Sequence, residues 1–377
     1  MGRVISSLEP FLSILDRENI IKNPEVFNLD YVPPEIYVRE ELKDAIDNIL
    51  IYLKLGVPTA FHLLIIGEKG SGKTVSFKFL AERLPKELND KIKEYEPSII
   101  YLPCWKITSS YWVYLSISGA KKGEQLPVVR EKALNKLREN KRTILILDDI
   151  DHLRDDDLLY YIPRETNALM ILITRDIGFM KDLSPPVKSS FVPKIIKFVP
   201  YRVSEVREIL LSRAKLGLER WDEGVIDLIA SFVVNTYNSD VRIGIRALEL
   251  IALHDEWDHK KVPEFISEAV RDIELSAIRL MDNREILVMA SLLMEKRENE
   301  AFKLARKLGD ELNIPLSKTS FYDIIYELEH SGIITKKEAR TKKGRTYIID
   351  VNLTNRQYLI ERAEEIGIKV SRGVDGI

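Results

Sequence analysis

The chain contains the segment GEKGSGKT at Gly67–Thr74, directly after the short apolar run His62–Ile66. Glycines in such a segment let successive backbone N–H groups turn towards a phosphate, and a following helix presents the positive end of its dipole. The lysine of this pattern reaches the terminal phosphates of a nucleotide, and the hydroxyl residue after it binds Mg²⁺. A strand, a glycine loop and a helix in this order are typical of α/β folds. The segment therefore predicts a phosphate-binding P-loop with the ligands Gly67, Gly70, Ser71, Gly72, Lys73 and Thr74.

Further short apolar runs follow the P-loop, and helix-like segments such as Lys73–Leu84 and Val128–Asn140 lie between them. Nearly continuous apolar runs of this length are typical of strands that are buried on both faces. Alternating strands and helices predict a parallel sheet covered by helices on both sides. We therefore expect an α/β P-loop domain over residues 31–200. The runs are Ser98–Leu102, Thr143–Leu147, Leu169–Thr174 and Ile195–Val199.

The chain has 377 residues, of which 45% are hydrophobic and 31% are charged. This length favours two or three domains, and the composition is that of a soluble globular protein. No run approaches the about eighteen consecutive apolar residues of a membrane helix, and the N-terminus lacks a secretory signal pattern, so we expect a cytoplasmic protein with no membrane partner. With a formal net charge of −2, any attraction to nucleic acid must come from local basic clusters. The single cysteine, Cys104, is expected to be a buried apolar side chain.

A second motif, ILILDDID at Ile144–Asp151, is an apolar strand that ends in carboxylates, as the Walker B segment of a P-loop protein does. Asp148 is expected to hold Mg²⁺ through water. Many P-loop ATPases have a glutamate at the next position, where it polarises the attacking water, whereas this chain has the shorter Asp149. Slow hydrolysis follows from that difference. The alternative is that Asp148, Asp149 and Asp151 only cap the following helix.

Residues after Pro200 change in pattern. Residues 204–278 show successive amphipathic helices and no convincing strand, which predicts an all-α lid domain over residues 201–282. Three helices are then expected at Glu285–Lys296, Ala301–Leu312 and Lys318–His330, followed by two β-prone runs around the basic loop KKEARTKKGR. This order is typical of a winged helix, which we expect over residues 283–377. Residues 1–30 are expected to form an N-terminal arm.

The third helix of a winged helix enters the major groove and presents polar residues from its first turns. Its apolar positions Phe321, Ile324, Ile325 and Leu328 are expected to face the core. The wing is strongly basic and suits phosphate contacts. A solvated hairpin or a protein-docking module is the alternative. The expected DNA contacts are Lys318, Thr319, Ser320 and Tyr322 of the helix and Lys337, Arg340, Lys342, Lys343 and Arg345 of the wing.

The order of P-loop, Walker B segment, helical lid and winged helix resembles the archaeal replication initiators of the AAA+ class. These are relatives of origin-recognition-complex subunit one and cell division control protein six. The resemblance covers roughly residues 30–355, and this chain is similar to a divergent paralogue of the family. It is carried by four local stretches, which are YVPPEIYVRE, FVPYRVSEVREILLSRA, SDVRIGIRALELI and ELNIPLSKTSFYDIIYELEHSGII.

The resemblance implies roles for residues that composition and spacing leave unassigned. It places Val32 and Arg39 beside the adenine of a bound nucleotide. It implies nucleotide contacts from Tyr201 and Arg213, and it makes Arg242 the lid residue that reaches the γ-phosphate. In the family an insertion at the place of Trp105–Gln125 also touches DNA, which suggests phosphate contacts from Lys121 and Lys122.

Two departures from the family pattern concern hydrolysis. In the strand end ILITRD this chain has Arg175 where the family usually has an asparagine that orients water, and Pro186 stands where the family often has an arginine finger. Together with Asp149 and Arg242, Arg175 belongs to the groups expected to act in catalysis. The departures at Asp149, Arg175 and Pro186 leave nucleotide binding intact but alter groups that act in the transition state. We expect tight binding of ATP or ADP with Mg²⁺, and weak ATPase activity.

The sequence thus predicts an ATP-binding replication initiator that binds duplex origin DNA, with nucleotide acting mainly as a switch. Expected partners are the replicative helicase, which such a protein helps to recruit or load, and paralogous initiator subunits. The expected location is the cytoplasm, in association with the nucleoid. The alternative is a winged-helix ATPase with a signalling, chaperone-like or transcription-regulatory role.

Overall fold

The computed structural model describes residues 19–57, 62–95, 97–107, 109–139, 142–175, 178–330, 332–341 and 344–370. The chain forms two compact units, Met1–Ile266 and Ser267–Ile377. The boundary falls inside the helix Val262–Leu280. Most of the expected N-terminal arm, together with Lys342 and Lys343, lies outside the described residues.

A five-stranded parallel sheet organises the first unit, with the strand order β2-β3-β4-β1-β5. Side chains of β1, β3 and β4 are buried along their whole length, because helices cover both faces of the sheet. The five expected strands are all present, each within one residue of its expected ends. The strands are β1 (Leu63–Gly67), β2 (Ser98–Pro103), β3 (Thr143–Asp148), β4 (Leu169–Thr174) and β5 (Lys194–Phe198).

Helices flank this sheet in two layers. Side chains that alternate along each strand point to opposite faces, so Leu63 and Ile65 pack in one hydrophobic cluster while Leu64 and Ile66 pack in the other. Helix α1 ends where Gly56 takes the left-handed conformation. The helices are α1 (Glu40–Leu55), α2 (Lys73–Lys91), α3 (Ser110–Ser118), α4 (Leu126–Glu139), α5 (Asp157–Glu165), α6 (Phe179–Asp182) and α7 (Pro185–Lys188). The α/β fold class is confirmed.

The helical region that follows consists of α8 (Val203–Gly217), α9 (Glu223–Thr236), α10 (Val241–His254) and α11 (Val262–Leu280). Residues 19–32, which we call the strap, lie across α8. Backbone N–H groups of Lys22 and Asn23 donate to the carbonyl of Gly217 at 2.9 and 3.2 Å. Gly217 is required there because a Cβ would overlap Val26 and Phe27. The strap and α8 therefore pack as one layer.

The second unit has the elements of a winged helix. Its helices are α12 (Asn283–Met294), α13 (Glu298–Glu311), α14 (Lys318–His330) and α15 (Arg356–Glu365), and its hairpin consists of β6 (Ile334–Thr341) and β7 (Gly344–Val351). The apolar face expected for α14 is buried in the core of this unit. Helix α15 has no counterpart in the sequence prediction.

The prediction of a ten-residue basic loop between the two β-prone runs is wrong. Strands β6 and β7 pair continuously from Ile334 opposite Val351 to Thr341 opposite Gly344, so the ladder includes eight of the ten residues of the expected loop. The lysines and arginines of this stretch have low strand propensity. The antiparallel backbone ladder nevertheless continues through them, since strand propensity depends strongly on context.

Phe321 and Tyr326 offer a matched test of the winged-helix core, because both are aromatic residues of α14 and only Phe321 is fully buried. We expect Phe321→Ala to lower the free energy of unfolding by about 3–5 kcal/mol, because it removes buried apolar surface and leaves a cavity. Tyr326→Ala should cost less than about 1 kcal/mol. Urea denaturation of both variants measures the difference, and equal losses would contradict the assignment of this core.

Candidate functional site

The P-loop lies at the carboxyl end of β1, and two of its glycines are required by their surroundings. Gly70 and Gly72 have φ angles of 78° and 84°. A Cβ at Gly70 would lie 2.5 Å from Oδ1 of Asp240, and one at Gly72 would overlap the Tyr201 hydroxyl. Both positions thus need glycine for conformation and for space. The loop is shaped by residues of the helical region as well as by its own sequence.

Lys73 is almost buried at the start of α2. Its Nζ donates to the carbonyls of Gly67 at 2.6 Å and Glu68 at 2.9 Å. Burial, together with the positive charge of Arg175, lowers the pKa of Lys73 to about 8. Lys69, which the sequence analysis did not single out, also has a pKa near 8, because of burial and the charge of Arg242. Cations whose pKa is lowered by burial and by neighbouring arginines are suited to an anionic ligand.

A cavity of about 330 Å³ lies between the P-loop and the helical region. One end is charged and the other is largely apolar, which matches the phosphates and the base of a nucleotide. The charged end is lined by Lys69, Lys73, Thr74, Asp149, Arg175 and Arg242. The apolar end is lined by Leu29, Tyr31, Val32, Ile209, Val241 and Ile245.

Asp148 is buried at the end of β3, behind the P-loop. Tyr101 of β2 donates its hydroxyl proton to Oδ2, while Oδ1 has no hydrogen-bond partner. Burial raises the pKa of Asp148, although the Tyr101 hydrogen bond opposes this effect. An unpaired buried carboxylate oxygen fits the water shell of a Mg²⁺ ion that Thr74 would also hold. Within the described residues no cluster of three or more His, Cys, Asp or Glu could bind a metal, so the ion would need phosphate oxygens and water as well.

Asp149 and Arg175 form an ion pair across the charged end of the cavity. Their side chains approach to 3.4 Å between Nη2 and Oδ1. Asp149 takes a left-handed backbone conformation with φ of 54°, which turns the chain after β3 into the cavity edge. Asp149 and Arg175, two of the residues at which this chain is expected to differ in hydrolysis, are therefore in direct contact.

Arg242 lies in the first turn of α10 and lines the cavity. Asp240 caps this helix by accepting from the backbone N–H of Arg242, and its Oδ1 also accepts from Nε of Arg242 at 2.8 Å. Asp240 therefore fixes the guanidinium while packing on Gly70. The signal for Asp240 in the sequence is an aspartate before an apolar helix, which is a common N-cap.

The other residues implied by the resemblance separate into two groups. Val32, Tyr201 and Arg213 line the cavity, whereas Arg39 lies behind the P-loop. Arg39 donates to the carbonyls of Ser71 at 3.1 Å and Val199 at 2.7 Å, and its guanidinium lies 4.5 Å from the Tyr201 ring centroid. It connects the P-loop with the end of β5. Its role as a nucleotide contact stays a prediction.

Arg213 of α8 is buried against the strap. Its guanidinium donates to the carbonyls of Val26 and Tyr31 and lies 4.9 Å from the Tyr31 ring centroid. Burial lowers the pKa of Arg213 to about 10. Arg213 thus holds the segment that lines the apolar end of the cavity, in addition to lining the cavity itself.

Arg213→Gln should loosen the strap, because two carbonyls lose a buried charged donor. We expect faster amide exchange in residues 24–32 and nucleotide affinity about ten-fold lower, equivalent to about 1.4 kcal/mol. The control is Arg220→Gln, which removes an exposed arginine that pairs with Asp255 in the same region. Weaker nucleotide binding without faster exchange would instead favour a direct nucleotide contact by Arg213.

On α14 of the winged helix, Lys318 and Thr319 are exposed and Ser320 is half-buried. Ser320 bonds to Ser317 at the start of the helix. Tyr322 packs edge-on against Phe321 and is therefore partly committed to the core. Tyr326, one helical turn after Tyr322, is exposed and was not among the expected contacts.

On the wing, Lys337 lies in β6, 3.7 Å from Oδ2 of Asp350. The neighbouring Lys336 pairs with buried Glu298 at 2.5 Å. Arg340 and Arg345 are opposite one another in the hairpin register, next to the turn. Their side chains, and residues Lys342 and Lys343, lie outside the described part of the chain.

Lys121 and Lys122 lie between α3 and α4 and are both exposed. The Nζ of Lys122 is 5.1 Å from the Trp112 ring centroid. The aromatic side chains of this insertion mostly pack inward, and Tyr114 is fully buried. The two lysines are thus presented on the surface of a packed helical insertion.

Comparisons with known proteins agree with this architecture. A family model described as an AAA domain matches residues 59–177. The ORC1-type DNA replication protein of Thermococcus kodakarensis is 29% identical over 387 residues, which cover 91% of each chain. The corresponding protein of Thermococcus onnurineus is 28% identical over 384 residues, again with 91% of each chain covered.

Among solved structures, the Aeropyrum pernix ORC1 protein, determined in complex with DNA, superposes with a TM-score of 0.71 at 24% identity. The superposition covers 92% of this chain and 97% of that one, and at this identity it establishes the shared fold. Cdc6p of Pyrobaculum aerophilum superposes with a TM-score of 0.54 at 18% identity and covers 92% of this chain and all of that one, 100%.

The parallel sheet, the P-loop and the matching domain model define a AAA+ protein. Two observations narrow the class of protein further. A helical region and a winged-helix unit follow the sheet domain, and the relatives match over nine-tenths of the chain. Over 91% of its length the chain is 28–29% identical to proteins named as ORC1-type DNA replication proteins, so it is similar to the archaeal ORC1/Cdc6-type replication initiators. Within the described residues, no helix has the length and apolar character needed to span a membrane.

Proposed function

We propose that this protein is an ATP-binding replication initiator that binds duplex origin DNA and uses nucleotide mainly as a switch. The observation that carries the proposal is the cavity itself, because its walls come from both the P-loop and the helical region. A nucleotide in that cavity would contact Lys73 on one side and Arg242 on the other. Its phosphates would therefore favour one arrangement of the P-loop and the helical region over others.

The proposed ligands are ATP and ADP with Mg²⁺. Supporting this, Gly70 and Gly72 line the cavity without side chains, which leaves room for phosphates beside the backbone. Lys73 and Thr74 also line it, and in a P-loop these two positions hold the terminal phosphates and the metal. When bound, Mg²⁺ would neutralise phosphate charge and order the terminal phosphates. Asp148 would orient its water through the free Oδ1.

We propose that hydrolysis is slow. A general base must reach the attacking water, and Asp149 is one methylene shorter than the glutamate common at this position. Its carboxylate is also engaged by Arg175 at 3.4 Å. A carboxylate held by a cation is a weaker base than a free one.

DNA binding is proposed for the winged-helix unit, with a contribution from Lys121 and Lys122. Support comes from the exposed start of α14 and the basic hairpin tip. It also comes from relatives, since the Aeropyrum ORC1 structure was determined in complex with DNA. We also propose that the protein recruits the replicative helicase and has paralogous initiator subunits as partners. Its proposed location is the cytoplasm, in association with the nucleoid. Both proposals are supported by relatives that are named as replication proteins.

Replacing Lys73 tests the nucleotide part of the proposal. Lys73→Ala should reduce ATP and ADP affinity by at least about 100-fold, because it removes the buried cation at the terminal phosphates. Lys86→Ala, on the exposed face of the same helix, should leave affinity unchanged. Isothermal titration in the presence of Mg²⁺ measures both, and undiminished affinity in Lys73→Ala would reject this site.

The wing is tested by a variant in which Arg340, Lys342, Lys343 and Arg345 are replaced by alanine. We expect weaker binding to random and origin-derived duplexes. The log–log slope of affinity against salt should become shallower by about 0.9 for each phosphate that the variant no longer neutralises. Fluorescence anisotropy over a salt series measures both quantities.

The matched control removes the same number of positive charges from exposed positions of the first unit, namely Lys54, Lys86, Lys136 and Lys215. This control should retain the steep salt dependence. If the wing variant behaves like the control, the wing does not bind DNA, and the signalling or docking alternative gains support.

A further inference from the structure

The proposed function gives Arg175 a single role, the ion pair that weakens Asp149 as a base. It follows Thr174, the last residue of β4, and β4 lies between β3 and β1 in the sheet. The carboxyl ends of parallel strands meet at one edge of the sheet. Arg175 is therefore placed between Asp149, which follows β3, and the P-loop, which follows β1.

The surroundings of Arg175 locate it at the terminal-phosphate end of the cavity. Arg175 lines the cavity together with Lys73, and Thr174 before it pairs with Ile66, just before the P-loop. Burial, and after it the charge of Arg175, lowers the pKa of Lys73. The lysine of a P-loop marks the β- and γ-phosphates. Tyr31, Val32 and Ile245 line the apolar end of the cavity, where a base would lie.

The ion pair with Asp149 determines what the guanidinium can do. The pair is partly accessible, with 22% and 20% of the two side chains exposed, and Nη2 is 3.4 Å from Oδ1. This separation is longer than a strong charge-assisted hydrogen bond, which is about 2.7–2.9 Å. A phosphate oxygen offers a guanidinium the same charge as a carboxylate and a matching bidentate geometry. Asp149 can therefore be displaced as a partner by a phosphate that reaches this end.

We propose that Arg175 determines the preference of the site for ATP over ADP by exchanging Asp149 for the γ-phosphate. With a diphosphate, the guanidinium keeps Asp149 as its partner. With a triphosphate, it pairs with the additional phosphate, which sits near Lys73. This role rests on the proposed nucleotide site and adds a selectivity that Lys73, which serves both nucleotides, does not supply.

The test compares affinities for ATP and ADP with Mg²⁺ by isothermal titration, in wild type and in Arg175→Gln. Glutamine keeps a polar side chain but removes the charge. We expect the ratio of ATP to ADP affinity to fall about ten-fold, while ADP affinity changes less than about two-fold. Arg175→Lys should retain part of the ratio, because it restores the charge without the bidentate geometry.

Arg138→Gln is the matched control, because it removes an ion-paired arginine of α4 that contacts Glu131 and Glu165 and lies outside the cavity. It should leave the ratio unchanged. Equal weakening of ATP and ADP in Arg175→Gln, or an unchanged ratio, would overturn the proposed role while leaving the nucleotide site intact. Failure of wild type to bind either nucleotide would instead reject the nucleotide site, and this role with it.

Asp149→Asn in both backgrounds tests the exchange of partners. With Arg175 present, removal of the competing carboxylate should raise the ATP preference about three-fold or more. In the Arg175→Gln background the same change should have a clearly smaller effect, because the pair no longer exists. Equal effects in the two backgrounds would show that Asp149 acts on the phosphates by itself and would contradict the exchange.

Discussion

The contact between the P-loop and the helical region is the constraint on which the rest of the site depends. Gly70 lies against Asp240, and Gly72 lies against the hydroxyl of Tyr201. Any larger side chain at either glycine would push the two regions apart. Because Asp240 also holds Arg242, the same packing that closes the cavity aims the arginine into it. The shape of the P-loop and the position of the helical region are thereby linked.

Charge balance in the cavity follows from this packing. Burial makes Lys69 and Lys73 costly as free cations, which is why the pKa of each falls to about 8. Asp149 and Asp240 each pair with an arginine of the same cavity, and the lining as a whole suits an anionic ligand. In the proposed function, the pair of Asp149 and Arg175 makes the site a weak catalyst and lets it discriminate between ATP and ADP.

The basic residues of the winged-helix unit fall into two groups, of which one forms ion pairs at the base of the hairpin. Lys336 pairs with buried Glu298, and Lys337 and Lys296 both approach Asp350, so these lysines help to fasten the hairpin to the unit. Arg340 and Arg345 lie further along the hairpin, beside its turn. The base of the wing therefore contributes to folding, and its tip is the part suited to phosphates.

Local pattern by itself determined the strands of the sheet, the P-loop and the buried face of α14, because apolar periodicity and glycine spacing express local backbone preferences. It could not anticipate that the hairpin ladder would run through KKEART, nor that α15 would form. Local pattern also did not identify the partners of individual side chains. The fold joins residues from different elements, as it does for Arg39 with the P-loop, Arg213 with the strap, and Arg175 with Asp149. Only tertiary structure decides such pairs, since the partners come from separate segments and their burial sets the strength of each charge.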